Sequence, residues 1–428
     1  MTSATPAAGI RTMLSVAEAV AQVIDGALPL AVERVSLLDA LGRVLAAPIV
    51  APLTLPPWDN SAMDGYAVRS ADIDDATDGR PTVLRVIETV AAGQFPSVAV
   101  GPGEAVRIMT GAPLPAGADS VVRVEDTDGG LASVSVRAAR DGGRNVRPRG
   151  EDLRAGDTVL PVGMPISAAQ IGVLASVGAA AVDVYRRPRV AFFGSGDELV
   201  DLDRFHEALA GRKIVSSNNY TVHALIRMAG GVPINLGIAP DARDALRAML
   251  ERAAGCDVIV TTAGISVGEF DYLRDVLARL GADMTFWKVR MRPGAPVGFG
   301  HLKGTPWIGL PGNPVSTMVT FELFARPLLR RMLGYMRLYR RPVPVVLEEP
   351  VRIAAPITHF LRAVVQVRDD GVLTARLTGP QGSGILTSMS LANALLVVPE
   401  DRPQSHAGDV LHALLLTDDA GTSAHFSL

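Results

Sequence analysis

Arg189-Val190-Ala191-Phe192-Phe193-Gly194-Ser195-Gly196-Asp197-Glu198-Leu199 passes from an apolar run straight into a glycine-rich, acidic loop. A short, continuous apolar run bounded by turn residues reads as a strand buried on both faces. The same unit then recurs along the chain. Strands are predicted at residues 190–193, 233–238, 258–261 and 307–310, and helices at 219–228, 242–253, 272–280 and 315–333. Asn313 fits the N-cap of the last helix and Pro314 its first turn, and Pro327 should kink that helix or split it. Alternation of this kind predicts a parallel sheet with helices on both faces. In such sheets ligands bind at the carboxyl ends of the strands, so the loops there carry the functional reading.

The loop 194–199 offers two glycines for close backbone approach and two adjacent acids, Asp197 and Glu198, able to hold Mg²⁺ or orient a water. A surface turn with exposed acids has the same composition. Ser216-Ser217-Asn218-Asn219 opens a helix and serves equally as an N-cap or as ligand contacts. The run Thr261-Thr262-Ala263-Gly264-Ile265-Ser266-Val267-Gly268-Glu269-Phe270-Asp271 places amides and hydroxyls ahead of a helix, which suits an anionic group, and Glu269 and Asp271 are candidate metal ligands. Leu310-Pro311-Gly312-Asn313-Pro314-Val315-Ser316 is rigid enough to pre-organise an oxyanion pocket, or simply to join strand to helix. Lys288, Arg290 and Arg292 alternate with apolar residues, so one strand would carry all three cations on one face.

The rest of the chain differs in character. A helix is expected at residues 15–24 and a second at 35–46, where Leu37, Leu38, Leu41 and Val44 have helical spacing. Short β-branched runs between residues 81 and 140, and again after residue 340, predict β-domains, and Asp370-Gly371 marks a hairpin. The segment 166–184 reads as a helix running into a strand, with Ser167 and Gln170 at capping-box spacing, rather than as a membrane span. The 41 basic and 44 acidic residues balance to a net charge of −3, which argues against coating nucleic acid. The lone cysteine, Cys256, excludes an intramolecular disulfide and reads as a core thiol. No secretory start is visible, so the expectation is a soluble, cytoplasmic protein. Ser-His-Asp order, a Cys/His cluster, a GxGxxG fingerprint and a Walker loop are all missing.

Motifs in order along the chain carry a resemblance. They are Pro56-Pro57-Trp58-Asp59-Asn60-Ser61-Ala62-Met63-Asp64-Gly65-Tyr66-Ala67-Val68-Arg69, the run 107–115, Arg149-Gly150-Glu151-Asp152, Gly196-Asp197-Glu198-Leu199, Ser266-Val267-Gly268 with Asp271, Phe286-Trp287-Lys288, the run 309–316, and Gly379-Pro380-Gln381-Gly382-Ser383-Gly384 with Ala392-Asn393. Together they resemble the MoeA family, including the E domain of gephyrin. The resemblance implies an α/β multidomain subunit in an elongated dimer. It would have a disordered tail (1–12), a pterin-binding α/β domain (13–28 and 186–336), a linking domain (29–55 and 146–185), a β-domain over the active site (56–145) and a C-terminal β-barrel-like domain (340–428). It implies molybdenum insertion into adenylylated molybdopterin with release of AMP, Mg²⁺ as cofactor and molybdate as substrate. Expected partners are a molybdopterin adenylyltransferase and molybdoenzymes.

By the same resemblance Asp64, Thr110, Asp152, Glu198 and Asp271 are catalytic. Ser217, Asn218, Gly264, Ser266, Gly268, Lys288, Arg292, Pro311, Gly312, Asn313, Pro314, Arg362 and Ser383 bind substrate, and Asp241 and Asp271 hold metal. The chain departs from the family pattern at Arg292 and Ala295, where lysines are usual, at Ala263 for glycine, and at Ser216 for aspartate. These departures leave open a paralogue with altered metal preference, such as tungstate. The resemblance also leaves open a non-catalytic pterin-binding scaffold.

Overall fold

The computed structural model describes residues 11–264 and 272–417. Its main sheet has seven strands, numbered here within the sheet: β1 (Arg11–Leu14), β2 (Arg189–Ser195), β3 (Val232–Ala239), β4 (Val258–Thr262), β5 (Asp283–Val289), β6 (Gly298–Leu302) and β7 (Thr305–Leu310). Their spatial order is β1-β5-β6-β7-β4-β2-β3. Alternation in β2 and β4 places Val190, Phe192, Val258 and Val260 in one core, with helices Val16–Ile24, Ser217–Met228 and Pro314–Thr320. Ala191, Phe193 and Ile259 enter the other, with Arg243–Arg252 and Leu273–Arg279. Both faces are therefore covered, which is why these strands read as unbroken apolar runs.

The sheet is mixed rather than wholly parallel. β6 pairs antiparallel with both β5 and β7. The cause is local: Lys303 and Gly304 both adopt positive φ (50° and 82°) between the paired residues Leu302 and Thr305, the geometry of a two-residue hairpin turn. Arg11 and Thr12, expected within a disordered tail, belong to β1, paired parallel with Phe286 and Trp287. Residues 1–10 lie outside the described chain.

The helix expected at 35–46 does not form. Val32–Ser36 is a strand paired antiparallel with Ala181–Tyr185, followed by a single 3-10 turn, Leu38–Ala40. Leu38 and Leu41 are exposed while Val44 and Leu45 are buried, so the helical spacing never becomes one buried face. The helix expected at 15–24 forms as Val16–Ile24, opened by a capping box of Ser15 and Glu18, and the helix Ala168–Ser176 forms behind Ser167. A five-stranded sheet runs in the order Ser120–Arg123, Gly65–Val68, Glu104–Ile108, Thr82–Val90, Ser133–Val136, and a six-stranded sheet holds most C-terminal strands. In the latter, Thr358–Val367 and Leu373–Leu377 pair around the Asp370-Gly371 turn. No helix among the described residues is long and apolar enough to cross a membrane.

The long helix after β7 is split, as its proline predicts. Pro314–Thr320 passes through a π segment, Phe321–Ala325, into Arg326–Met332. The wider turn absorbs the hydrogen bond that Pro327 cannot donate. It also brings the buried Glu322 against Arg340 (2.7 Å) and Arg326 (3.4 Å). Truncating one member of a buried ion cluster leaves the other charges uncompensated. Glu322→Ala is accordingly expected to lower stability by about 3 kcal/mol, read as a shift of the urea midpoint at unchanged slope.

Candidate functional site

The carboxyl ends of β2, β4 and β7 open into a cavity of about 530 Å³. It sits where the chain order changes direction, β2 leading outward to β3 and β4 lying on the other side, the position at which open α/β sheets bind ligands. Its floor and walls come from Thr262-Ala263-Gly264, Pro311-Gly312-Asn313-Pro314 and Ser216-Ser217-Asn218, with Glu198 and Leu199 at one side and Pro296 and Gly384 at the rim. The walls are bonded to one another. The Ala263 amide donates to the Leu310 carbonyl (3.0 Å), and the Thr317 hydroxyl donates to that of Pro311 (2.6 Å). Asn218 Nδ2 donates to the Gly312 carbonyl at 2.7 Å. Gly264 has φ +70°, and a Cβ there would press on Leu273 and on Ser195 Oγ, so both its conformation and its space require glycine.

Asn313 heads its helix but does not cap it with its side chain; instead its Nδ2 donates to Ser383 Oγ (3.0 Å), and the Val315 amide donates to the Ser383 carbonyl (3.1 Å). These two bonds bring the loop 379–384 of the C-terminal region to the cavity mouth. Arg362 works behind that loop. It is fully buried, and its guanidinium donates to the carbonyls of Pro380, Gln381 and Gly382 and to Ser388 Oγ. Arg362 therefore positions the loop that carries Ser383 and does not line the cavity itself.

Acidic groups gather beside the cavity. Asp197 and Asp241 clasp each other, each carboxylate accepting from the other's backbone amide at 3.4 and 3.2 Å. Burial, with added repulsion from Asp197 and Glu198, pushes the Asp241 carboxyl above its ordinary value. Excess negative charge of this kind fits a divalent cation. Among the described residues, however, no group of three acids, histidines or cysteines can hold one unaided. The donors suit Mg²⁺, which takes one or two carboxylates and completes its shell with water and phosphate oxygen. Asp271, the other expected ligand, lies outside the described residues, as do Ser266, Gly268 and Glu269.

The three cations do not share a face. Lys288 takes a positive φ of 76° inside β5, which breaks the strand's alternation. Met291–Arg292 then joins the C-terminal sheet, Arg292 in register with His359, and Arg290 pairs with Glu400 at 3.4 Å. Asp64, Thr110 and Asp152 do not line this cavity either; Asp64 and Thr110 flank paired strands of the five-stranded sheet, and Asp152 precedes Leu153, which bridges Leu55. There the Thr110 amide and hydroxyl both donate to Asp64 at 2.7 Å and hold its carboxyl below the ordinary value. Ile214 and Val215 line the cavity without being singled out by any motif; their signal is only their adjacency to Ser216.

Residues 14–178 match the MoeA N-terminal region (domain I and II), residues 191–331 a probable molybdopterin binding domain, and residues 344–416 the MoeA C-terminal region (domain IV). The chain is 39% identical over 389 residues to Molybdopterin molybdenumtransferase 2 of Mycobacterium tuberculosis strain H37Rv, covering 90% of this chain and 95% of the relative. It is 34% identical over 423 residues to the Molybdopterin molybdenumtransferase of Bacillus subtilis strain 168, covering 98% and 97%. A crystal structure of a molybdopterin biosynthesis moeA protein from Pyrococcus horikoshii OT3 superposes with a TM-score of 0.81 at 29% identity, over 94% of this chain and 100% of that one. The chain belongs to the MoeA family of molybdopterin molybdenumtransferases.

Proposed function

We propose that this enzyme inserts molybdenum into adenylylated molybdopterin and releases AMP. The observation that carries the reading is the cavity at the strand ends, walled by 262–264, 311–314 and 216–218 and flanked by the Asp197, Glu198 and Asp241 carboxylates. It offers a recess for the ligand's rings beside an acidic edge for its diphosphate. Asp241 and Glu198, with Asp271, would hold Mg²⁺. When bound, the ion would polarise the phosphoanhydride linkage whose cleavage frees AMP. Lys288 and Arg292 would balance the charge of molybdate, and Ser383, set by Asn313 and Arg362, would close the oxyanion side. Asp64, Thr110 and Asp152 do not line the cavity of their own chain, which supports a homodimer in which a second copy brings them over it. A molybdopterin adenylyltransferase would supply the substrate and molybdoenzymes would take the product.

The test is AMP release from adenylylated molybdopterin with Mg²⁺, with and without molybdate. Molybdate-stimulated release together with active cofactor is the expected result; release indifferent to molybdate would sink the reading. Asp241→Asn should lower the rate by about 10- to 100-fold.

Asp241 also sets a pH dependence. Its folded value lies above the ordinary 3.8, so the native state favours the neutral acid. The contribution of Asp241 to the stability of the metal-free enzyme should be full below the ordinary value and be lost as pH rises through the folded one. Asp241→Asn should abolish that decline, and Mg²⁺ should raise the melting temperature of the wild type but not of the variant. Melting curves across pH, with and without the ion, check both.

A further inference from the structure

The cavity wall formed by residues 216–219 sits at the start of the helix Ser217–Met228, a place where an anion would ordinarily be expected. The side chains there point to different chemistry. Asn218 is pinned by its Nδ2 bond to the Gly312 carbonyl, and Asn219 by an Nδ2 bond to the Gly237 carbonyl at 3.2 Å. A carbonyl can only accept, so both amide nitrogens face their partners and both oxygens must face away. Asn218 Oδ1 and Asn219 Oδ1 have no partner among the described residues, and neither does Ser216 Oγ. The residues are 9%, 1% and 2% exposed. Ser216 heads the helix, yet its hydroxyl caps no amide.

Their placement is convergent. A Cβ built on Gly194 would lie 3.2 Å from Asn219 Oδ1, 3.3 Å from Thr262 Oγ1 and 3.5 Å from Ser216 Oγ. Ser216, Asn218 and Thr262 also line the cavity. Buried acceptors left unpaired are costly, and a bound molecule that donates to them recovers that cost. Phosphate or molybdate oxygens cannot do so at the two amide oxygens, which they would face lone pair to lone pair, whereas the Ser216 hydroxyl can accept as well as donate.

We infer that this corner of the cavity binds the N–H-donating edge of an amino-substituted heterocycle, with Ser216 and Asn218 as its specificity-determining acceptors, and that the anionic part of the ligand lies elsewhere. The inference deepens the proposed function and rests on it for the ligand. Two rings of that substrate carry such an edge, the aminopyrimidinone of the pterin and the adenine.

The probes are therefore free pterin (2-amino-4-oxopteridine), lumazine, which has oxygen in place of the 2-amino group, adenosine, and inorganic pyrophosphate, each titrated against the full-length protein. Ser216→Ala removes a hydroxyl with no protein partner, so the melting temperature should hold or rise. Affinity for pterin or for adenosine should fall by about fivefold, and whichever ring responds is the one seated there. Asn218→Ala should weaken the same ring further, and pyrophosphate should bind all three proteins alike. Lumazine should bind the wild type less well than pterin if the pterin is the ring seated. Equal loss of pyrophosphate and ring binding in Ser216→Ala, or no loss for either ring, overturns the inference. So does failure of both rings to bind the wild type. AMP release can stand while ring binding fails, or fail while it stands, so the two readings fall separately.

Discussion

One hydrogen bond, from Asn218 Nδ2 to the Gly312 carbonyl, ties the start of one helix to the loop that begins another. The two segments are 94 residues apart in sequence, and their helices pack on the same face of the sheet. Much around the cavity follows from that bond. It fixes the height of Gly312, whose neighbour Asn313 is then free to reach Ser383. It also fixes which way the Asn218 amide faces, and so what the cavity wall presents to a ligand. Buried amides have few ways to satisfy both ends, and here one end is spent on architecture and the other kept for binding.

Much of the α/β fold was legible because both faces of β2 and β4 are buried. That condition writes unbroken apolar runs into the sequence, and the glycine-rich loops between them mark the strand ends. What stayed hidden depended on single residues with unusual backbone. Lys303-Gly304 makes β6 antiparallel, and nothing in the composition of residues 298–302 distinguishes it from another parallel strand. Lys288 breaks the alternation that would have aligned three cations, through a positive φ that lysine rarely adopts. Residues 35–46 differ for another reason: Leu38 and Leu41, two of the leucines at helical spacing, are exposed.

At the candidate site several motif loops meet at one cavity, but the motifs do not show the division of labour within them. Ser217, Asn218, Gly264, Pro311, Gly312, Asn313 and Pro314 all line one cavity. Asp241 lies beside it, clasped with Asp197, whereas Arg362 acts one layer back. No spacing rule separates a residue that faces a ligand from one that props up its neighbour. That distinction comes from burial and from counting which donors are already committed.

Arg362 shows what such counting implies. Its charge is met by three peptide carbonyls and a serine hydroxyl, with none of those partners able to titrate. A carboxylate partner loses its charge on protonation, but this grip contains no such partner. The loop bearing Ser383 is thus clamped by a pH-invariant fastening. The planar fork of arginine reaches several carbonyls at once, a geometry that the compact ammonium of lysine cannot reproduce.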